Sequence, residues 1–323
     1  MQHLRNSVGA GKKLLLISSA GGHIAELWRI ERELGVNPDS IWVTSRNPQT
    51  ESLLKGRRVQ WVPYVSPRDV IGSLRVARVT KSLIRDEHFD GCISSGAAIA
   101  AFSLPSIAMQ KVRTIYVESL TRVVAPSVTG RIARTAPSVE TWSQHSGFES
   151  PGWRYSGSVL DSYAIYLQEF ERERIRLFVT LGTIRPYRFD RAVDIVLNLL
   201  ENAGNIDVVW QLGATTRSDL PGEVYLDMSG EEMQRHMLNT DVIIGHAGVG
   251  TVLDALECGI SPIVIPRSKQ LSEHVDSHQV EFAEELSCLG TALTVMPGED
   301  LSYSTLLLAA SRKARLQSDS DVE

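Results

Sequence analysis

The chain has 323 residues, 43% hydrophobic and 22% charged, with a net charge of −5; this is an ordinary globular mixture, long enough for two domains. Its three cysteines, Cys92, Cys258 and Cys288, have no paired spacing, which excludes a disulfide framework or a cysteine zinc site and fits a reducing cytoplasm. The opening MQHLRNSVGAGKK lacks the apolar core of a secretion signal, and no run reaches the roughly 18 apolar residues of a membrane span, so the expected protein is soluble or rests on a membrane without crossing it.

Short apolar runs alternate with helical stretches. KKLLLISSA (12–20) reads as a buried strand ending in a small-residue turn, and GHIAELWRIERELG (22–35) as a helix closed by Gly35. Strands follow at 40–45 and 58–64 around a helix at 47–55, then a helix at 68–86 and a strand at 89–95. GAAIAAFSLPSIAMQ (96–110) reads as a very apolar helix interrupted by Pro105. RTIYVES (113–119) is the next strand, and 121–144 reads as a looser region. The stretch 157–173 looks polar and helical and serves as a linker.

The alternation then restarts. Strands are expected at 174–182, 207–213, 240–246 and 261–266, with helices at about 189–202, 230–238, 250–259 and 275–288. The tail 317–323 is expected to be disordered. Strand–helix alternation means parallel sheets covered on both faces. The predicted fold is α/β, with two doubly wound Rossmann-like domains, 1–160 and 161–316, facing a cleft and binding ligands at strand carboxyl ends.

Charge differs between the halves. Residues 1–160 hold 20 Lys+Arg against 12 Asp+Glu, a balance of +8, and residues 161–323 hold 13 against 26, a balance of −13. A basic half attracts phosphates or an anionic leaflet. No aromatic-interleaved basic stretch appears, and the acidic half repels a polyanion, so nucleic acid is not an expected partner.

GHAGVGTVLDALECG (245–259) places three glycines at the mouth of a helix. Bare backbone, open amides and the helix dipole favour an anion there. Asp254 lies one turn beyond Thr251, where a carboxylate suits a ribose diol better than a phosphate. Together these describe a nucleotide, although a tight turn with a solvated Asp254 gives the same string. Downstream, Glu273, His274, Asp276, His278 and Gln279 crowd a strand-to-helix junction. The cluster matches no standard metal-ligand set, so no metal and no cofactor is expected, and sugar hydroxyls fit its donors and acceptors. In the basic half, SSAGGH (18–23) puts Gly21 and Gly22 at another helix mouth. A helix N-terminus disfavours an imidazolium, which leaves His23 a neutral base candidate. Glu118, closing its strand, is the rival base or a structural partner of Arg122. The uncharged helix 96–110, followed by Lys111, Arg113, Arg122, Arg131 and Arg134, reads either as a lipid-facing surface or as core.

GHAGVGTVLDALECGISPIVIP followed by EHVDSHQ resembles the donor-binding half of the family 28 glycosyltransferases. SSAGGHIAEL, SSGAAIAAFSLPSIA and IYVESLTRVVAPSVTGRI resemble the membrane-recruiting partner of the dolichol-linked N-acetylglucosaminyl transferase, so the chain resembles a natural fusion of that pair or of its bacterial exopolysaccharide counterpart. The resemblance implies the GT-B fold and inverting, metal-independent transfer from a UDP-sugar to a polyprenyl diphosphate-linked saccharide at the inner face of the cell membrane. It places the diphosphate near Gly182, Thr183 and the loop of His246, Ala247, Gly248, Val249, Gly250 and Thr251, and the ribose on Asp254. The base would lie near Gln211, Gly213 and Met228, and the sugar near Glu273, His274, Asp276 and Gln279. It turns Gly21, Gly22 and His23 toward the acceptor, with Ser95, Gly96 and Arg122. Arg185 and Arg188 depart from the family pattern; they contact phosphate or a uronic acid donor, or are solvated. Other readings are a nucleotide-sugar epimerase, a soluble small-molecule glycosyltransferase and a non-catalytic nucleotide-sugar-binding protein.

Overall fold

The structure, a computed structural model, describes residues 1–66, 69–148, 150–183 and 185–317. The chain divides between Asp161 and Ser162 into two compact units. The first has seven strands: β1 (Leu14–Ser18), β2 (Ile41–Ser45), β3 (Arg58–Val62), β4 (Gly91–Gly96), β5 (Thr114–Val117), β6 (Val139–Ser143) and β7 (Trp153–Tyr155). They pair in parallel in the order β3-β2-β1-β4-β5-β6-β7. Its helices are α1 (Gln2–Val8), α2 (Gly22–Leu34), α3 (Pro48–Leu53), α4 (Val70–Asp86), α5 (Ala100–Ala108) and α6 (Val128–Thr135).

The hydrophobic pattern explains this arrangement. Every residue of β1, β2 and β4 is buried, as a parallel sheet covered on both faces requires. In α2, Ile24, Leu27, Ile30 and Leu34 recur at helical spacing and face inward, and Gly35 ends the helix at φ 58°. Asn47 caps α3 with a reciprocal Thr50 bond, and Asp69 caps α4 through Gly72 N.

The second unit repeats the plan. Strands β8 (Tyr163–Leu167), β9 (Ile175–Thr180), β10 (Ile206–Gln211), β11 (Glu223–Tyr225), β12 (Val242–Gly245), β13 (Ile263–Val264), β14 (Leu293–Thr294) and β15 (Arg312–Leu316) alternate with α7 (Asp190–Asn202), α8 (Gly230–Leu238), α9 (Val249–Glu257), α10 (His278–Cys288) and α11 (Tyr303–Ser311). The main sheet is parallel, in the order β11-β10-β9-β12-β13-β14. Leu177 and Val179 of β9 point into one core layer with Val193 and Val196 of α7 and Leu306 of α11. Phe178, between them, points into the opposite layer with Met237 of α8 and Ala255 of α9. Adjacent residues thus feed opposite faces, and both faces are dry.

In each sheet the strand order reverses at one place, between β1 and β4 and between β9 and β12. Such switch points open a crevice at the carboxyl ends of the strands. Gly21 and His23 follow the end of β1 and Gly96 ends β4, while Gly182, His246 and Gly248 follow the ends of β9 and β12.

Several elements differ from the sequence expectation. The region 121–144 is not loose: it holds α6 and β6. The stretch 157–173 is not helical. Tyr163–Leu167 is a strand paired antiparallel with Arg312–Leu316; YAIYL carries the aromatic and β-branched residues that favour this. Leu316 is therefore ordered, while residues 318–323 of the expected tail lie outside the described residues. Helix α5 runs through Pro105 without a break and starts at Ala100 rather than Gly96. Among the described residues, no helix is long and apolar enough to cross a membrane.

Candidate active site

The four helices that follow the switch-point strands, α2, α5, α7 and α9, have no side-chain cap, and two of them open on glycine. Helices α3, α4, α6, α8 and α11 are closed by Asn, Asp or Ser side chains. By contrast, α2 opens on Gly21 and α9 on Gly248, with no side-chain bond to either first turn. The first-turn amides of a helix have no intrahelical partner, so both mouths keep N–H groups and the positive end of the dipole for a ligand.

On unit 1, His23 is the second residue of α2 and half-buried. Its Nδ1 lies 2.9 Å from the Ser95 carbonyl. A carbonyl only accepts, so the neutral ring carries its proton on Nδ1 and its basic lone pair on Nε2. Ser95 holds the other side of the same residue: its hydroxyl donates to the His23 carbonyl at 2.8 Å and lies 3.3 Å from Ser18 Oγ. Gly96 is at φ 103°, and a Cβ there would lie 3.5 Å from the His23 ring. The β4 loop thus orients the imidazole.

Glu118 is only 1% exposed. It accepts from Tyr116 Oη at 2.9 Å, Ser127 N at 2.9 Å and Ser119 N at 3.2 Å. Burial raises the pKa of its carboxyl, against the lowering effect of these bonds. Its oxygens therefore fasten the loop between β5 and α6. Glu26 of α2 is fully buried beside it, accepting from Ser119 Oγ and Leu120 N at 3.0 Å and from the Gln144 side chain. Burial pushes its carboxyl up to about 8. Sequence reading passed over Glu26, although a carboxylate on the apolar face of α2 is the kind of misfit that marks a buried polar network. Arg122 sits on this loop, its amide donating to Ser119 O at 2.8 Å.

On unit 2, the glycines serve a ring. A Cβ on Gly182 would lie 2.6 Å from His246 Cε1, and one on Gly248 would lie 2.3 Å from His246 Nε2. Gly213, at φ 63°, admits the Gly182 carbonyl where a Cβ would stand 1.9 Å away. The imidazole is wedged between the β9 and β12 loops, and burial pushes its pKa down to about 3, with Arg267 and His274 adding repulsion. Its Nδ1 is buried without a hydrogen-bond partner among the described residues. Ala247 and Val249 are buried, Thr183 is exposed, and Gly250, Thr251 and Asp254 are half-buried at the start of α9.

Several of the expected donor contacts also have structural duties. Gln211 is wholly buried; its Oε1 accepts from Thr180 Oγ1 at 2.8 Å and its Nε2 donates to Leu226 O at 3.0 Å. Met228 packs on the Phe178 layer. Glu273 receives two bonds of 3.0 Å from Arg191, and its Oε2 also accepts from Ser268 N. Gln279 Oε1 accepts from Arg267 N at 3.1 Å. Sequence reading missed Arg267, which no motif marks. Its fully buried guanidinium donates to the Leu181, Tyr187, Arg188 and Glu273 carbonyls and stacks over Phe189 at 4.5 Å. Burial lowers its pKa to about 10.

His274 stacks near Tyr187, and its Nδ1 lies 3.0 Å from Asp276 Oδ1, which His278 Nδ1 also contacts. These three residues place one ligand atom each within 4.8 Å of one another, the one such metal-capable group among the described residues. Arg185 and Arg188 are exposed and ion-paired, to Asp227 at 3.2 Å and Asp190 at 2.7 Å.

Residues 176–322 match the glycosyltransferase family 28 C-terminal domain. The match lies within the second unit, which carries a domain of that family, and the two parallel sheets of this topology give the chain the GT-B fold class. Among known proteins, the chain is 45% identical over 60 residues to the UDP-N-acetylglucosamine transferase subunit ALG13 of Yarrowia lipolytica, covering 19% of this chain and 26% of that one. The chain spans about a quarter of the length of that curated relative. The fold is similar to that of Acinetobacter baumannii MurG, with a TM-score of 0.55 and 15% identity over 88% of this chain and 86% of MurG. It is also similar to a UDP-N-acetylglucosamine 2-epimerase structure from Listeria monocytogenes, with a TM-score of 0.54 and 11% identity over 86% and 88% of the two chains. Fold alone therefore does not separate sugar transfer from epimerisation.

Proposed function

We propose that the protein moves a sugar from a uridine diphosphate donor to a hydroxyl of a lipid-linked, polyprenyl diphosphate saccharide, with inversion and without a metal. The observation that carries this reading is the uncapped, glycine-opened mouth of α9 at the switch point of unit 2, with Asp254 about one turn past Thr251. In this reading the donor diphosphate lies on the amides of Val249, Gly250 and Thr251, and the ribose hydroxyls bond Asp254. Gly182 and Thr183 flank the diphosphate, Gly213 and Met228 border the base, and His274 and Asp276 face the sugar. The name of the yeast relative makes UDP-N-acetylglucosamine the first donor to test.

The acceptor hydroxyl attacks the anomeric carbon as the bond to the diphosphate oxygen breaks. Its proton passes to His23 Nε2, where the Ser95 carbonyl has put the lone pair. Negative charge builds on the leaving diphosphate, where open helix amides stabilise it without a metal. The acceptor's own phosphates suit the mouth of α2 at Gly21 and Gly22, on the basic half, with Arg122 as a further cation. Such an enzyme works at the cytoplasmic face of the cell membrane, in cell-surface glycan or exopolysaccharide synthesis.

The test is turnover of His23→Ala with EDTA present. Loss of a positioned base lowers the rate by about 10²–10⁴-fold, while UDP affinity measured by calorimetry stays unchanged. Unaltered turnover removes His23 as the base. Loss of parent activity in EDTA argues for a metal, and the His274, Asp276 and His278 group is where it would sit.

A further inference from the structure

Strands β8 and β15 form a small antiparallel sheet of their own. At its two ends, Gln168 N donates to Ser311 O and Gln317 N to Ser162 O, both at 2.8 Å. These bonds fix the phase of the ladder, because alternate residues of an antiparallel pair bond the neighbour and those between them point away. Ala164 and Tyr166 therefore bond β15, and the N–H and C=O groups of Ile165 and Leu167 point outward. Among the described residues these outward groups have no hydrogen-bond partner. The outer edge of β15 is occupied, since Ala314 N donates to Gly259 O at 3.0 Å.

An open edge is a template for another strand, and folded chains guard such edges with charge, proline or shortness. The edges of the two parallel sheets follow this rule: β3 carries Arg58, β7 carries Arg154, β11 carries Glu223, and β14 has two residues. Strand β8 reads YAIYL and carries no such guard. Its apolar side chains also reach solvent. Tyr166 is 43% and Leu167 69% exposed, and Leu316, on the same face as Leu167 across the ladder, is 48% exposed.

The strand is complementary to itself. A two-fold axis at Tyr166 sets Ile165 opposite Leu167 of a second copy, and Leu167 opposite its Ile165. Each outward N–H then meets an outward C=O. The Ile165 and Leu167 side chains pair on one face of the sheet, and the two Tyr166 rings meet on the other. No charge lies in the strand, so self-pairing sets no like charges against each other.

We propose that two copies of the chain join through β8, antiparallel about this axis, in one continuous sheet of order β15-β8-β8-β15. The shared sheet meets α9 at that helix's last residue, where Tyr163 Oη donates to Glu257 at 3.2 Å. Pairing thus leaves the mouth of α9 open in each copy, and the inference stands apart from the reading of sugar transfer.

The test is sedimentation velocity of the full chain from micromolar to several hundred micromolar. The mass is expected to rise from 35.7 kDa toward twice that value. Ile165→Pro removes an outward N–H from each copy and none from the ladder to β15, so self-association is expected to weaken about tenfold or more. Leu167→Lys supplies the missing guard charge at an exposed site; it should weaken pairing as far and melt as the parent does. Tyr166→Cys, oxidised, is expected to form an interchain disulfide, because directly opposed residues of a non-hydrogen-bonded pair bring their Cβ atoms close. The parent, with Cys288 exposed, sets the background for that crosslink. A parent that stays monomeric throughout, a dimer undiminished by Leu167→Lys, or a Tyr166→Cys chain that crosslinks no more than the parent would overturn the proposal.

Discussion

At the scale of single residues, two histidines illustrate how a loop sets chemistry. His23 is held by a carbonyl, which decides which nitrogen is basic. His246 is held by shape, its ring filling the space that Gly182 and Gly248 leave open. The glycines were legible in the sequence as a bare helix mouth, but part of their purpose was not. A string of letters does not show that a side chain from the same loop folds back across them. The consequence is measurable. Gly248→Ala sets a Cβ against a ring that Gly182 hems in on another side, and such overpacking costs about 1–3 kcal/mol. His246→Ala empties that space, so the double variant should be more stable than the sum of the two single losses predicts. Strictly additive losses in denaturant titrations would show that the ring does not enforce the glycine.

At the scale of elements, α2 and the loop between β5 and α6 are tied by a buried carboxylate. Glu26 holds its proton up to about pH 8 in the folded chain, because burial penalises its charge. The unfolded chain releases that proton near the ordinary glutamate value of about 4.3. Between those limits the folded state binds more protons than the unfolded, so this group's contribution to stability falls as pH rises. Glu26→Gln should flatten the decline in melting temperature between pH 5 and 8, while keeping an acceptor for Ser119 and Leu120. An unchanged slope would mean that Glu26 is ionised in the fold. The same elements mark what sequence patterns reveal and what they hide. Helix α2, with four apolar residues at helical spacing and a closing Gly35, was plain. Helix α6, eight residues with only Gly130 and Ala133 buried, carries too little periodicity to show against its loop. Strand β8 was misread because its partner, β15, lies at the far end of the chain, and pairing across such a distance leaves no local trace.

At the scale of the whole molecule, the doubled α/β plan was readable because each strand–helix pair repeats the same burial pattern. The strand orders and their reversal points were not, since they follow from packing rather than composition. Those reversals explain why the informative loops of the sequence fall on the carboxyl ends of β1, β4, β9 and β12. The two units should also answer pH with opposite signs. Glu26 weakens unit 1 as pH rises toward 8, whereas His246, neutral in the fold down to about pH 3, weakens unit 2 as pH falls below its ordinary value of 6.5. Hydrogen exchange followed separately in Met1–Asp161 and in the remainder should show faster opening of the first in mild base and of the second in mild acid; parallel trends would contradict both assignments.

The most direct measurement is a crystal structure of the protein soaked with uridine diphosphate. The account predicts the diphosphate on the backbone amides of Val249, Gly250 and Thr251, and the ribose hydroxyls within hydrogen-bond distance of Asp254. A nucleotide bound anywhere else on the chain, or held by side-chain cations with the mouth of α9 empty, would contradict it.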